Sequence, residues 1–287
     1  MRGTQLGSNR QDLSLRFGKP NSRLQPARVK FVALSLAGIL MATGLHAADP
    51  FAENVRTTEP LTPEQQQKTF HLPPGFDIQL VAAEPDLRKP MNLAFDSIGR
   101  LWITESREYP FFAPLDKPAR DSIRVFSDFD ESGRARKMTI FAEGLNIPIG
   151  LYPFCTPNAG GGLTWKCIAW SIPNLWLFED TDGDGKADKR EVLYGPFDHT
   201  RDTHGNQASF KRGFDGWLYA THGFNNDSHV KGRDGSQVDL NSGNTYRMRL
   251  DGARLEQHTW GQVNPFGTAW DPFGNGRTSV RGAYGIF

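Results

Sequence analysis

One acidic segment of the sequence has the residue types and spacing of a calcium-binding loop. It runs from Asp180 to Glu191 and matches the pattern D-x-D-x-D-G-x5-E at every specified position. Alternate carboxylates of such a loop converge on one hard cation, the glycine allows a sharp turn, and the last glutamate closes the shell. We expect Ca²⁺ here, with a solvated acidic turn as the alternative. The predicted ligands are Asp180, Asp182, Asp184, Lys186, Asp188 and Glu191.

The residues that flank this loop are typical of strands. Leu175–Phe178 precede it and Val192–Tyr194 follow it, which predicts a β-hairpin held by the cation and not an EF-hand. Such a site would be structural, since it leaves no open position for chemistry. A sister loop, Asp128–Gly133, lacks the closing acid and is the weaker candidate.

A second polar stretch has residues suited to acid–base chemistry. Asp198–Asn206 contains His199 and His204, and His222–Asp227 follows after one predicted strand. Both segments lie where a strand ends or begins, and ligands bind at such junctions in propellers. The two histidines have a spacing seen in zinc sites, but no third ligand is patterned with them.

The elements that must position these residues recur along the chain. A strand–turn–strand motif has its turn glycine at Gly99, Gly216 and Gly274, and a further copy fits near Gly160–Gly162. Hairpins with acidic turns alternate with this motif. A period of roughly 50–60 residues matches one four-stranded propeller blade. We therefore predict an all-β fold, a β-propeller of about four blades, with a β-sandwich as the alternative.

The predicted propeller is incomplete. It occupies residues 76–287, and the sequence stops inside a blade-opening motif, Ala269–Asn275. An unclosed propeller exposes a sheet edge. We expect the chain to be a fragment, or its last residues to be out of frame.

The N-terminus has the pattern of an export signal. Residues 1–47 contain seven Lys or Arg and one acid, and Phe31–Leu45 is an uncharged apolar run that ends near Ala47-Ala48. This predicts a signal peptide with a polar extension, hence a periplasmic or exported protein. The alternative is an uncleaved anchor and membrane association. Residues 48–75 read as a linker with one short helix at Pro63–Lys68.

Composition narrows the class further. The chain has 287 residues, 23% charged and 38% hydrophobic, with a net charge of +1, which excludes a collagen or a polytopic membrane protein and gives no reason to expect a nucleic-acid partner. Two cysteines are too few for a disulfide scaffold. In an oxidising compartment Cys155 and Cys167 either form a disulfide or stay unpaired thiols.

Long runs of the sequence resemble known families. His204 followed by Phe210–Tyr219 is similar to the six-bladed propellers of the soluble quinoprotein glucose/sorbosone dehydrogenase superfamily. A closer resemblance, over Leu72 to Asn275, is to the bacterial membrane-bound dehydrogenases, or haem-binding CxxCH proteins. The matching runs include LPPGFDIQLVAAEP, KPMNLAFDSIGRLWITESREYP, GLNIPIGL, DTDGDGKADKREVLYGPF, RGFDGWLYATHGFNNDS, NSGNTYRMR and WGQVNPFGTAWDP.

The resemblance implies a dehydrogenase. His204 would act as the general base on a sugar or alcohol while hydride passes to a quinone, pyrroloquinoline quinone in that superfamily. The resemblance also implies substrate or cofactor contacts by Arg201, His222, Asn225 and Asn226. The family's CxxCH segment is not in this sequence, so a cytochrome c is the implied electron acceptor.

Three functions are open at this point. The first is an exported quinoprotein-like dehydrogenase. The second is a non-catalytic propeller, stabilised by calcium, that binds carbohydrate or protein. The third is a truncated, inactive fragment.

Overall fold

A computed structural model describes residues 58–268 of the chain. Residues 59–268 belong to one compact unit. The predicted signal peptide, residues 1–47, and the fourth blade-opening motif, Ala269–Asn275, lie outside the described residues. Among residues 58–268, no helix has the length and apolar character needed to cross a membrane.

The described residues confirm the all-β fold. They form fourteen strands and one short helix. The helix is α1 (Pro63–Gln67), and the strands are β1 (Pro90–Phe95), β2 (Leu101–Glu105), β3 (Asp121–Phe129), β4 (Ala135–Leu145), β5 (Leu151–Pro157), β6 (Leu163–Ser171), β7 (Asn174–Asp180), β8 (Lys189–Tyr194), β9 (Ala208–Arg212), β10 (Leu218–His222), β11 (Asp227–Lys231), β12 (Gln237–Asn241), β13 (Gly243–Met248) and β14 (Leu255–Gln262).

The strands form three four-stranded antiparallel sheets and one hairpin. The first sheet has the order β1-β2-β3-β4 and the second β5-β6-β7-β8. The third has the order β9-β10-β13-β14, and the hairpin β11-β12 is inserted between its second and third strands. The predicted turns at Gly99, Gly160–Gly162 and Gly216 each join the first two strands of a sheet. The repeat found in the sequence is therefore a repeat of sheets.

The second sheet lies between the other two, and its strands alternate between two cores. Cys167 and Ala169 of β6 pack with Trp102 of the first sheet. Ile168 and Trp170 of the same strand pack with residues of the third sheet, Tyr246 among them. Successive side chains of a strand point to opposite faces, so one sheet serves both cores. The first strands of the three sheets are also neighbours, since β1 contacts β5 and β5 contacts β9.

The N-terminal part of the described chain covers the outer face of the first sheet. The predicted short helix is confirmed as α1, and Thr62 caps it with a reciprocal capping box that involves Gln65. The apolar run Ile78–Val81, at the start of the predicted propeller, forms no strand. Val81 instead packs against a core of Leu101, Ile103 and Phe126, and its carbonyl accepts a hydrogen bond from the Ala135 amide (3.0 Å).

The structure contains no disulfide between Cys155 and Cys167, which are free thiols. In the β5–β6 pairing Cys155 lies opposite Trp165, and Cys167 lies opposite Pro153. The two cysteines are thus diagonal neighbours. Diagonal pairs on adjacent antiparallel strands are about 7–8 Å apart, whereas the Cα atoms of disulfide-bonded cysteines are about 4.4–6.8 Å apart. Burial raises the pKa of the Cys167 thiol to about 12.

The close approach of the second and third sheets is testable at Gly150. A Cβ at this position would lie 2.7 Å from the Phe210 ring and 3.0 Å from the Gln207 carbonyl oxygen. We expect Gly150→Ala to destabilise the fold by about 1–3 kcal/mol, as overpacking does, measured by urea unfolding. Gly160→Ala is the control, because its Cβ would lie 3.5 Å from the nearest atom. Equal stability of the two variants would contradict this packing.

Candidate functional site

The antiparallel order of the sheets sorts their connections to two ends. The β2–β3 and β8–β9 connections and the hairpin insertion leave from one end, which we call the loop end. The β1–β2, β5–β6 and β7–β8 turns lie at the other, which we call the turn end. The segment Asp198–Asn206, which we call the His204 segment, belongs to the β8–β9 connection and is therefore at the loop end. The acidic loop joins β7 to β8 and is therefore at the turn end.

An aspartate orients His204. The Asp202 carboxylate accepts a hydrogen bond from the His204 amide (2.8 Å) and lies 2.9 Å from Nδ1 of the ring. A carboxylate at Nδ1 favours the tautomer that is protonated there and leaves the lone pair on Nε2. The imidazole is exposed, and Nε2 has no partner among the described residues. This is the arrangement that a general base requires.

The first sheet contributes a side chain to the same place. The Tyr109 ring contacts the His204 ring edge to face, with centroids 5.1 Å apart. The Thr203 hydroxyl donates to the Pro110 carbonyl (2.5 Å), which ties the two connections together. Burial raises the pKa of Tyr109, and the charge of Asp202 raises it further. His204 thus lies at a junction of two sheets.

His222 is buried and its ring has no free nitrogen. Nδ1 lies 2.8 Å from the Ser242 carbonyl oxygen, and Nε2 lies 2.9 Å from the Ser228 hydroxyl. The carbonyl requires a proton on Nδ1, so the neutral ring accepts from Ser228 at Nε2. Burial lowers the pKa of His222, which favours this neutral form. The side chain holds the β11–β12 hairpin against the sheet.

The other predicted contacts surround the same loop. Asn226 is fully buried, accepts from the Arg201 and Asp202 amides (3.3 and 3.2 Å), and donates to the Asp202 carbonyl (2.6 Å). Arg201 forms an exposed ion pair with Asp227 (2.7 Å). Asn225 has a left-handed backbone (φ 69°). Asn226 therefore positions the dyad of Asp202 and His204.

Two buried polar side chains follow His204 in the sequence. Asn206 and Gln207 are 2% and 0% exposed, and their side-chain amides have no partner among the described residues. His199 packs edge to face on Phe112, with centroids 4.9 Å apart. His199 and His204 thus contact different rings of the β2–β3 connection, and no metal cluster includes them among residues 58–268.

At the turn end, strands flank the acidic loop, as predicted. Asp180, Asp182 and Asp184 each offer a carboxylate oxygen within 4.8 Å of the others, a group that could hold a metal ion. Asp180 also accepts from the Gly183 and Gly185 amides (2.8 and 3.1 Å). Burial raises the pKa of Asp180, and the negative charges of Asp184 and Asp182 add to that effect.

The other predicted ligands have different partners. The Asp188 carboxylate accepts from the Thr181 hydroxyl (2.8 Å), and Glu191 forms an ion pair with Arg233 (3.2 Å). The Lys186 amide donates to Asp184 (2.7 Å). The loop is also tied to the first sheet, because the Ala187 amide donates to the Phe141 carbonyl (2.7 Å). In the sister loop, the Asp130 carboxylate accepts from Ser132 (2.6 Å).

Both ends of the sheets lie inside one family match. Residues 62–280 match the family described as "Domain of unknown function (DUF7133)". The chain belongs to this family. The chain itself matches no curated protein. The family description assigns no activity to DUF7133 proteins, and the match includes both the acidic loop and the His204 segment.

Sequence reasoning missed two residues of this DUF7133 site. Asp202 is two positions before His204, so an Asp-x-His spacing was the local signal for the dyad. Tyr109 gave no such signal, because it is 95 positions away in sequence and only the packing of the sheets brings it to His204.

The buried His222 makes stability depend on pH. Its folded pKa lies below the ordinary value of 6.5, so the unfolded chain binds the proton more tightly. The stability that neutral His222 confers is present above about pH 6.5 and is lost as the pH falls towards its folded pKa. We expect the melting temperature of His222→Gln to fall less between pH 7 and 5 than that of the wild type. His229→Gln, at an exposed histidine, should follow the wild type, and equal slopes for His222→Gln and the wild type would refute the assignment.

Proposed function

We propose that the chain is an exported β-propeller whose loop end removes a proton from a hydroxyl group of a sugar or an alcohol, as part of its oxidation to a carbonyl compound, while the hydride passes to a separate two-electron acceptor. Export rests on the predicted signal peptide. The proposal is carried by one observation, the Asp202–His204 dyad with Nε2 open to solvent. A base within reach of a substrate hydroxyl typically contributes about 10²–10⁴-fold to the rate.

The propeller is supported by the way successive sheets meet. Each four-stranded sheet is a simple antiparallel series apart from one inserted hairpin. The first strands of consecutive sheets are neighbours, as in blades arranged around an axis. A propeller also explains why the β2–β3 connection of one sheet reaches the β8–β9 connection of another. Binding sites lie on such connections.

Calcium is proposed as a structural ion at the turn end. The donor set fits a hard cation, because three carboxylates converge without a neutralising side chain in the cluster. Glu191 is engaged with Arg233, so Asp180, Asp182 and Asp184 are the proposed carboxylate ligands. The hydrogen bond from the Ala187 amide to the Phe141 carbonyl joins the loop to the first sheet, so an ion that orders the loop would also stabilise that sheet.

The His204 segment itself offers no unpaired cationic side chain to a quinone acceptor. A tricarboxylate such as pyrroloquinoline quinone calls for several cationic partners. At the His204 segment Arg201 is paired with Asp227, and both nitrogens of His222 are engaged. We therefore assign the proton transfer to His204 and no hydride step to residues 58–268. The quinone and a cytochrome c partner stay predictions of the family resemblance.

The base is tested by dye reduction. The full chain is assayed with a panel of sugars and alcohols, Ca²⁺ and a two-electron redox dye as the hydride acceptor, with and without added pyrroloquinoline quinone. We expect His204→Ala to lower turnover by about 10²–10⁴-fold and Asp202→Asn to lower it as well, since the amide no longer favours the tautomer.

The chain offers a matched control for the dyad. His229 and Asp239 form a second exposed pair, with Nδ1 2.7 Å from the carboxylate, and His229→Ala should keep full turnover. Unchanged turnover in His204→Ala would overturn the assignment. Ligand binding without turnover in the wild type would favour the non-catalytic propeller.

The ion is tested by thermal unfolding. A ligand at 100 times its Kd stabilises the folded state by about 2.7 kcal/mol. We expect Ca²⁺ to raise the melting temperature of the wild type and of Asp130→Asn, but not of Asp184→Ala, whose side chain is exposed. The absence of a shift in the wild type, or an equal shift in Asp184→Ala, would exclude this site.

A further inference from the structure

A cleft runs between the last strands of the first and second sheets. β4 ends the order of its sheet and β8 ends the order of the next, so each has one edge with no strand beside it among residues 58–268. The cleft has a volume of about 770 Å³ and is lined by Lys137–Glu143 of β4 and by Lys186–Arg190, which lead into β8. The Ala187 amide donates to the Phe141 carbonyl (2.7 Å) and joins the two walls.

The lining shows that the cleft follows the edge of β4. Successive side chains of a strand point to opposite faces, so a cleft on one face of the sheet would be lined by every second residue. Here every residue from Lys137 to Glu143 lines it. The backbone at this edge is therefore open to a ligand, and the Phe141 carbonyl already accepts a hydrogen bond there. Such an edge can take an added strand from another chain.

The wall of the cleft is long enough for a short peptide. Strands rise about 3.3 Å per residue, so the edge from Lys137 to Glu143 has room for an extended peptide of about seven residues. Met138 and Ile140 are partly buried and offer it apolar contacts. A second cavity, of about 270 Å³, shares Phe178 and Arg190 with the cleft and continues to the end of β4.

Cations outnumber the free carboxylates in the cleft. Its charged residues are Lys137, Glu143, Asp184, Lys186, Asp188, Lys189 and Arg190. Lys189 is already bonded to Glu179 (2.6 Å). Asp188 accepts from the Thr181 hydroxyl (2.8 Å), and Asp184 belongs to the proposed calcium site. The exposed cations that are left, Lys137, Lys186 and Arg190, are balanced by Glu143 alone, so a ligand that carries carboxylates would be attracted.

We infer that this cleft binds an extended segment of another protein in which acidic and apolar residues alternate. The backbone of the segment pairs with the free edge of β4, and its carboxylates pair with Lys137, Lys186 and Arg190. A second copy of this chain is a poorer occupant, because its own β4 would bring Arg136 and Lys137 to a cleft with a cationic excess. The inference goes beyond the proposed function and does not depend on His204. Only the neutralisation of Asp184 rests on the proposed calcium ion.

The test is fluorescence anisotropy with the full chain in the presence of Ca²⁺. The probe is a short labelled peptide of alternating glutamate and valine. It is compared with a peptide that has lysine for glutamate, and with one N-methylated at its backbone amides, which cannot pair as a strand. We expect saturable binding of the unmodified acidic peptide alone, weakened by added salt. Lys137→Glu and Arg190→Glu should each raise its Kd several-fold.

Hydrogen exchange locates the peptide, and a matched variant controls for charge. Backbone amides of β4 should gain protection on binding, and those of β14, the last strand of the third sheet, should not. Lys211→Glu makes the same charge change at an exposed lysine of β9 and should bind the peptide as the wild type does, as should His204→Ala.

Four results would overturn the inference. The first is no binding of the acidic peptide, and the second is equal binding of the lysine or the N-methylated peptide. The third is a loss of affinity in Lys211→Glu as large as that in Lys137→Glu. The fourth is a dimer of the chain, seen by light scattering, that Lys137→Glu dissociates, because a second copy would then be the occupant.

Discussion

The antiparallel order of the sheets is the constraint on which the rest of the structure depends. Each strand reverses the direction of the one before it, so successive connections must alternate between two ends. The β2–β3 and β8–β9 connections therefore lie at the loop end, and the hairpin turns with acidic residues lie at the turn end. The proposed base, His204, and the proposed calcium loop are kept apart by the length of β8. This separation agrees with the structural role proposed for the acidic loop, although the loop is the strongest motif in the sequence.

Local features were predictable from the sequence, and features set by pairing register were not. The hairpin turns, the helix α1 and the strands around Asp180 follow from glycine, capping and strand patterns within a few residues. Whether Cys155 and Cys167 form a disulfide was not predictable, because this depends on which residue lies opposite Cys155. Glu191 illustrates the same limit. It is at the closing position of the calcium pattern, yet its carboxylate pairs with Arg233, 42 positions away.

At the loop end, His204 contacts one residue that is near it in the sequence and another that is far from it. Asp202 reaches His204 across a single residue, and Asn226 fixes the backbone of that turn from the next loop. Tyr109 belongs to the β2–β3 connection of the first sheet, and the hydrogen bond from Thr203 to the Pro110 carbonyl holds that connection beside His204. His222 has both nitrogens bonded and no exposed surface, so its place is in the scaffold. Of two histidines that look equivalent in the sequence, burial and hydrogen bonding leave only one with a free nitrogen.

The central claim is that Asp202 and the Tyr109 ring hold His204 with its proton on Nδ1 and a free lone pair on Nε2. The most direct measurement is a long-range ¹H–¹⁵N correlation spectrum of the histidine side chains. It should show an unprotonated Nε2 for His204, ring-proton shifts that move in Tyr109→Leu, and loss of the single tautomer in Asp202→Asn. A His204 that averages between tautomers, like a free exposed imidazole, and that responds to neither substitution would contradict the account.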